Sequence, residues 1–137
     1  IAFYFKKERT VFTGDTLFSL GCGRVFEGSH KEMFESLIKI KNLPPETKVY
    51  CGHEYTKSNL NFCLTYDPNN IALKKKAKDI QIKLKKGIPT IPTTIDAEIK
   101  TNIFLRCNDP VIRQTLNLKT STEDEVFSKL RDLKDSF

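Results

Sequence analysis

Short apolar runs and helical stripes alternate along the chain. Ala2-Phe3-Tyr4-Phe5 and Val11-Phe12-Thr13 are β-rich runs parted by the polar Lys6-Lys7-Glu8-Arg9, the pattern of a hairpin. Gly14-Asp15-Thr16 breaks the second run, and Gly21-Cys22-Gly23 with Gly28 marks a long glycine-rich loop. Ser29 and Glu32 stand at capping-box spacing ahead of Met33, Phe34, Leu37 and Ile38, apolar positions at helical intervals that Pro44-Pro45 closes. Lys48-Val49-Tyr50-Cys51 reads as a buried strand cut off by Gly52. Strand, helix and strand in this order predict the end of an α/β layered domain.

From Thr56 onward the period is helical. Thr56 is placed to cap a helix holding Leu60, Cys63 and Leu64, which Asp67-Pro68-Asn69-Asn70 ends. Leu73, Ala77, Ile80 and Leu84 then form one stripe, which turns the intervening lysines to water, and Gly87 with Pro89 stops it. A loop with Pro89 and Pro92 leads to Ile95–Ile99 and Phe104. A capping box at Thr122 and Glu125 opens a last helix with Val126, Phe127, Leu130 and Leu133 on one face. The predicted fold class is therefore α/β (α+β), with an α/β part over residues 1–54 and a helical part over 55–137.

Composition narrows the function classes. The chain has 137 residues, and 39% of them are hydrophobic, enough for one modest core. No apolar run approaches the ~20 residues of a bilayer span, so no membrane association is expected. The net charge is +6, with 8 basic and 7 acidic side chains in residues 1–54 and 15 and 10 in residues 55–137. Lys74-Lys75-Lys76, Lys78, Lys83, Lys85 and Lys86 are the densest run. A basic nucleic-acid-binding module would use such a run against phosphates, whereas the favoured reading is the solvated face of a helix; a basic rim also steers small anions. Cys22, Cys51, Cys63 and Cys107 form no C-x-x-C pair, and no signal peptide is visible, so reduced thiols and a cytoplasmic setting are expected.

Two residues stand where metal chemistry is assembled. Asp15 and His53 each follow a glycine at a strand end, and neighbouring strand ends open onto a common crevice. Carboxylate and neutral imidazole are good zinc or iron ligands. The alternatives are a turn-forming Asp and a hydrogen-bonded structural His. His30, the other histidine, falls in the capping box and is expected to be exposed. One Asp and one His do not fill a tetrahedral catalytic site. Arg24, Tyr55, Arg131 and Lys134 form a candidate anion-binding group, in which Arg131 and Lys134 share a helix face; helix-terminal cations favoured by the dipole are the alternative.

Val11-Phe12-Thr13-Gly14-Asp15-Thr16-Leu17-Phe18, Gly21-Cys22-Gly23-Arg24 through Glu27-Gly28, Val49-Tyr50-Cys51-Gly52-His53-Glu54-Tyr55-Thr56 and the ending Leu130-Arg131-Asp132-Leu133-Lys134-Asp135-Ser136-Phe137 together resemble glyoxalase II, the hydroxyacylglutathione hydrolase family. The resemblance runs from the first strand to the last residue. It implies the C-terminal part of a metallo-β-lactamase αββα sandwich (residues 1–54) followed by a helical domain that binds the glutathione substrate (55–137). The activity it implies is hydrolysis of S-D-lactoylglutathione to glutathione and D-lactate by hydroxide held on two divalent metal ions (zinc, with iron or manganese as alternatives), a step in methylglyoxal detoxification.

By the same resemblance, Asp15 bridges the two metals and His53 ligates one of them, while Arg24, Phe26, Tyr55, Arg131 and Lys134 hold the glutathione moiety. Arg24 stands for a usual Lys, and Phe26 stands where Tyr is common. The family's H-x-H-x-D-H motif and a later metal His are expected upstream of Ile1, along with any organellar transit peptide, so the 137 residues alone are expected to be inactive. A monomer is favoured. The other readings are another metallo-β-lactamase-fold hydrolase or a sulfur dioxygenase.

Overall fold

The computed structural model describes residues 1–137. Strand β1 (Phe3–Phe5) turns back antiparallel onto β2 (Thr10–Gly14), as the hairpin pattern predicts. A second, tighter hairpin follows, formed by β3 (Leu17–Phe18) and β4 (Gly21–Cys22), and then helix α1 (His30–Lys41) returns the chain to β5 (Lys48–Cys51), parallel to β2. Helices α2 (Thr56–Tyr66) and α3 (Ile71–Lys85) lead to β6 (Thr93–Thr94), which pairs antiparallel with β5. The main sheet thus runs β1-β2-β5-β6. Helix α4 (Ile95–Thr101), a short 3-10 turn, α5 (Pro110–Thr115) and α6 (Glu123–Asp135) complete the chain. No helix is long and apolar enough to cross a membrane.

Alternation along the strands decides which face is buried. Val11, Thr13 and Val49 point into the core, while Phe12 and Tyr50 stack at 5.3 Å on the opposite, exposed face. A single cluster of 22 buried apolar residues runs from Val11 and Val49 through Leu37 and Ile40 of α1 to Phe62, Phe104 and Phe127 among the later helices, so the sheet and the helical part share one core. Phe127 of α6 meets Phe34 of α1 at 5.7 Å and Phe104 at 5.9 Å.

Several local expectations change. Gly21 and Cys22 belong to β4 rather than to a long loop, because the hairpin is buried and pairs its own backbone. The capping box at Ser29 and Glu32, by contrast, forms in full as predicted. Thr56 lies inside α2, with Tyr55 at the cap position, and the Thr56 hydroxyl donates to Glu54. Thr122 precedes α6 but makes no cap bond; its hydroxyl donates to the Glu125 carboxylate instead. Leu84 is 40% exposed, and Lys76 is turned inward to a buried glutamate, so the α3 stripe is displaced at both points. His30 is only 27% exposed because its ring abuts Phe127.

Candidate functional site

Strands β2 and β5 end side by side. Their pairing slips one residue between Phe12 and Gly14, the Gly52 N–H donates to the Gly14 carbonyl at 2.8 Å, and the residues beyond face the same rim. Asp15 Oδ1 and His53 Nε2 lie 3.2 Å apart there, both substantially exposed. A Cβ on Gly52 would stand 2.9 Å from Asp15 Oδ1, and one on Gly23 would overlap the Asp15 carbonyl, so both glycines are required by close approach.

The His53 ring stacks on Tyr55 with centroids 4.9 Å apart, and Phe18 braces Tyr55 edge-on at 5.1 Å. Glu54, between the two rings, turns away and accepts from the Thr90 N–H and hydroxyl at 2.6 Å. Burial pushes its carboxyl up, yet the hydrogen bonds from Thr90 and Thr56 outweigh it and hold the group below the usual carboxylate range.

A pocket of about 470 Å³ opens beside this pair, and Asp15, His53, Arg24, Phe26, Tyr55, Arg131 and Lys134 all line it. Their states differ. Phe26 is 87% exposed at the mouth, and the Arg24 guanidinium is largely in solvent, 3.8 Å from Asp135. Lys134 Nζ reaches Ser58 Oγ at 3.3 Å; burial, then the charges of Arg131 and Arg24, pull its pKa below the ordinary lysine value. Arg131 is buried, with every nitrogen engaged. Nη1 donates to the carbonyls of Cys22 at 2.7 Å and Gly23 at 3.3 Å, while Nε and Nη2 donate to Asp135. It contributes positive charge to the pocket wall and ties α6 to the β4 end, rather than offering a free fork.

Phe18, Cys22, Ser58 and Asn59 also line the pocket and were not singled out from the sequence. Ser58 and Asn59 lie three and four residues after Tyr55, a helical spacing that could have placed them beside it. Burial pushes the Cys22 thiol up to about 11 despite the lowering effect of Arg131, so it stays neutral near pH 7. The donors Asp15 and His53 suit a divalent metal in chemistry and proximity. No group of three or more His, Cys, Asp or Glu side chains gathers to hold a metal ion, so these two are a partial donor set. The site therefore joins an exposed carboxylate–imidazole pair, of a chemistry that could hold a metal, to a cationic, aromatic pocket.

Residues 54–137 match the family model described as "Hydroxyacylglutathione hydrolase C-terminus", and residues 1–53 match the metallo-beta-lactamase superfamily. Among curated proteins, the chain is 56% identical to a hydroxyacylglutathione hydrolase of Pelagibacter ubique (strain HTCC1062), covering all of this chain and 52% of that protein. It is 53% identical to one of Chelativorans sp. (strain BNC1), again over the whole chain and 54% of the relative. The figures for one of Bartonella tribocorum are 50% identity, the whole chain and 54% of the relative. The chain spans about half the length of the curated relatives it matches.

Proposed function

From the premise that this chain belongs to the hydroxyacylglutathione hydrolase family, we propose that it serves in the hydrolysis of glutathione thioesters, with S-D-lactoylglutathione as the substrate. The observation that carries this reading is the convergence of the Asp15 carboxylate and the His53 imidazole, 3.2 Å apart, on the pocket that also holds Arg24, Tyr55 and Lys134. Glutathione carries two carboxylates and one amino group, and a cationic wall complements its net negative charge.

Asp15 and His53 would hold divalent metal, zinc first and iron or manganese as alternatives, with further donors from outside residues 1–137. Bound there, the metal supplies Lewis acidity to the thioester carbonyl and to the attacking water. Arg24 and Lys134 grip the carboxylate ends of the peptide, and Tyr55 flanks it. Phe18 and Tyr55 hold the His53 ring in place. Water oxygen adds to the carbonyl carbon, the carbon–sulfur bond breaks, and glutathione leaves as thiolate with the acyl group released as carboxylate, the two protons of the water passing to solvent. A thiolate is stable enough to depart without a strong general acid.

In the cytoplasm, such an activity would clear the thioester formed from methylglyoxal and glutathione, with the enzyme acting as a monomer.

The test is thiol release from S-D-lactoylglutathione by the protein that carries this chain, with its metal content measured. His53→Ala should lose metal and lower kcat by more than ~100-fold, since even outer-shell partners of metal ligands cost 10–100-fold. Turnover of a cysteamine thioester as fast as of the glutathione thioester would overturn the substrate assignment. The 137-residue polypeptide supplied with zinc should show no turnover, because two donors do not complete a metal site.

A further inference from the structure

Glu98 is fully buried on α4 and does not line the pocket, yet it is the centre of the most elaborate polar network in the molecule. One carboxylate oxygen accepts from the Leu20 N–H at 2.7 Å and from Asn102 Nδ2 at 3.1 Å. The other accepts from the Thr93 hydroxyl at 2.8 Å and from the Lys76 ammonium. Four donors thus occupy the four lone-pair positions of one carboxylate. A buried charge is costly unless paired and hydrogen-bonded, and here both conditions are met.

The Leu20 bond gives this network its meaning. Leu20 sits at the tip of the β3–β4 hairpin with φ +61, a left-handed conformation that leucine rarely adopts. The hairpin is buried, so no water can pair its turn groups, and side chains from the helices do so instead. Besides Glu98, Asn102 donates to the Gly21 carbonyl at 3.1 Å and Asn59 donates to the Ser19 carbonyl at 3.1 Å. Gly21 is glycine because a Cβ there would stand 2.5 Å from the Asn59 amide.

Both ends of this hairpin enter the candidate site. It begins two residues after Asp15 and ends two residues before Arg24, and Asp15, Phe18, Cys22, Gly23 and Arg24 are five of the twelve residues lining the pocket. Phe18 is the ring behind Tyr55 and His53, and the Cys22 and Gly23 carbonyls hold Arg131. Glu98 thus touches the site only at one remove: it holds the Leu20 N–H, two residues along the same hairpin from Phe18, whose ring contacts His53 and Tyr55.

We propose that Glu98 is a positioning residue of this site, acting through the Leu20 N–H and the β3–β4 hairpin. The proposal rests on the hydrolase reading for its kinetic arm only. The comparison is between two variants that both lose the buried ion pair, Lys76→Met/Glu98→Gln and Lys76→Met/Glu98→Leu. Glutamine keeps an acceptor for Leu20, and leucine has none.

In the protein that carries this chain, the Gln pair should keep kcat for S-D-lactoylglutathione within about threefold of the unaltered protein, while the Leu pair loses at least tenfold, a scale set by what small displacements cost in a catalytic constellation. Both are to be compared per folded molecule, by circular dichroism and melting. Equal kcat in the two folded variants would overturn the proposal. The second arm needs no substrate: the NMR ring signals of His53 and Tyr55 should move in the Leu pair and stay in the Gln pair, and unmoved rings would overturn it equally. An unaltered protein without thioesterase activity would sink the hydrolase reading and leave the ring signals to decide the role of Glu98. If the Leu pair does not fold, Lys76→Met/Glu98→Met, whose unbranched apolar chain fills the glutamate's space without an acceptor for Leu20, takes its place with the same expected losses.

Discussion

Arg131 and Lys134 are three residues apart on one helix face, and the structure gives them different work. All the Arg131 nitrogens are engaged, and its main partner, Cys22, is 109 positions away in the chain. Lys134 keeps an ammonium at the pocket with one hydroxyl neighbour. Truncating them should therefore separate stability from binding. Arg131→Ala should lower stability by roughly 2 kcal/mol, the scale of buried carbonyls losing a charged donor, as read by urea midpoint. Lys134→Ala should leave the midpoint nearly unchanged and raise KM about tenfold with a smaller change in kcat, the signature of lost uniform binding. Because the Lys134 pKa is lowered, its charge and the affinity for the anionic substrate should fade as pH rises, at lower pH than in Lys134→Arg, whose guanidinium stays charged. Coincident KM–pH profiles for the two proteins would refute that role. The sequence made both residues visible as cations on one face; the commitment of Arg131 was not legible, because helical spacing says nothing about a carbonyl a hundred residues earlier.

At the scale of elements, strong periodicity carried most of the reading. The β1–β2 hairpin, the α1 capping box and the stripe of α6 are local patterns, and each appears where it was expected. The two-residue strands β3, β4 and β6 are too short to show alternation, and α5 is too short to show a stripe, so tertiary pairing alone defines them. The site was legible where a glycine stands before Asp15 and before His53 at the strand ends, whereas Glu98, on a helix of seven residues, offered no pattern at all. The glycines of these elements also make a discriminating experiment. Gly23→Ala puts a methyl into the Asp15 carbonyl and should displace Asp15 from His53, lowering kcat by tenfold or more. Gly87→Ala, at φ +67 after α3 with open space around it, should cost about 1 kcal/mol of backbone strain and leave kcat untouched. Equal kinetic effects at the two positions would show that hairpin-to-Asp15 contact is not what matters.

For the whole molecule, the shared core links the cysteines to stability. Cys22 in the β3–β4 hairpin, Cys63 in α2 and Cys107 in the turn before α5 are free and buried, and burial pushes their thiols up from 9.0 to about 11, about 12 and about 12. In the unfolded chain they ionise near their ordinary value. The native state thus holds protons that the unfolded state has already released above pH 9, so the contribution is fully present below that pH and is lost as pH rises towards 11–12. Each thiol can remove up to about 1.4 kcal/mol per pH unit in that window. Urea midpoints at pH 7.5, 9 and 10.5 should stay level and then fall steeply. Cys63→Ala lowers the midpoint everywhere by opening a cavity, but it should flatten the alkaline fall by about 1 kcal/mol per pH unit. The slope isolates the proton from the packing, and an unchanged slope would mean that the Cys63 thiol ionises in the core as it does in water.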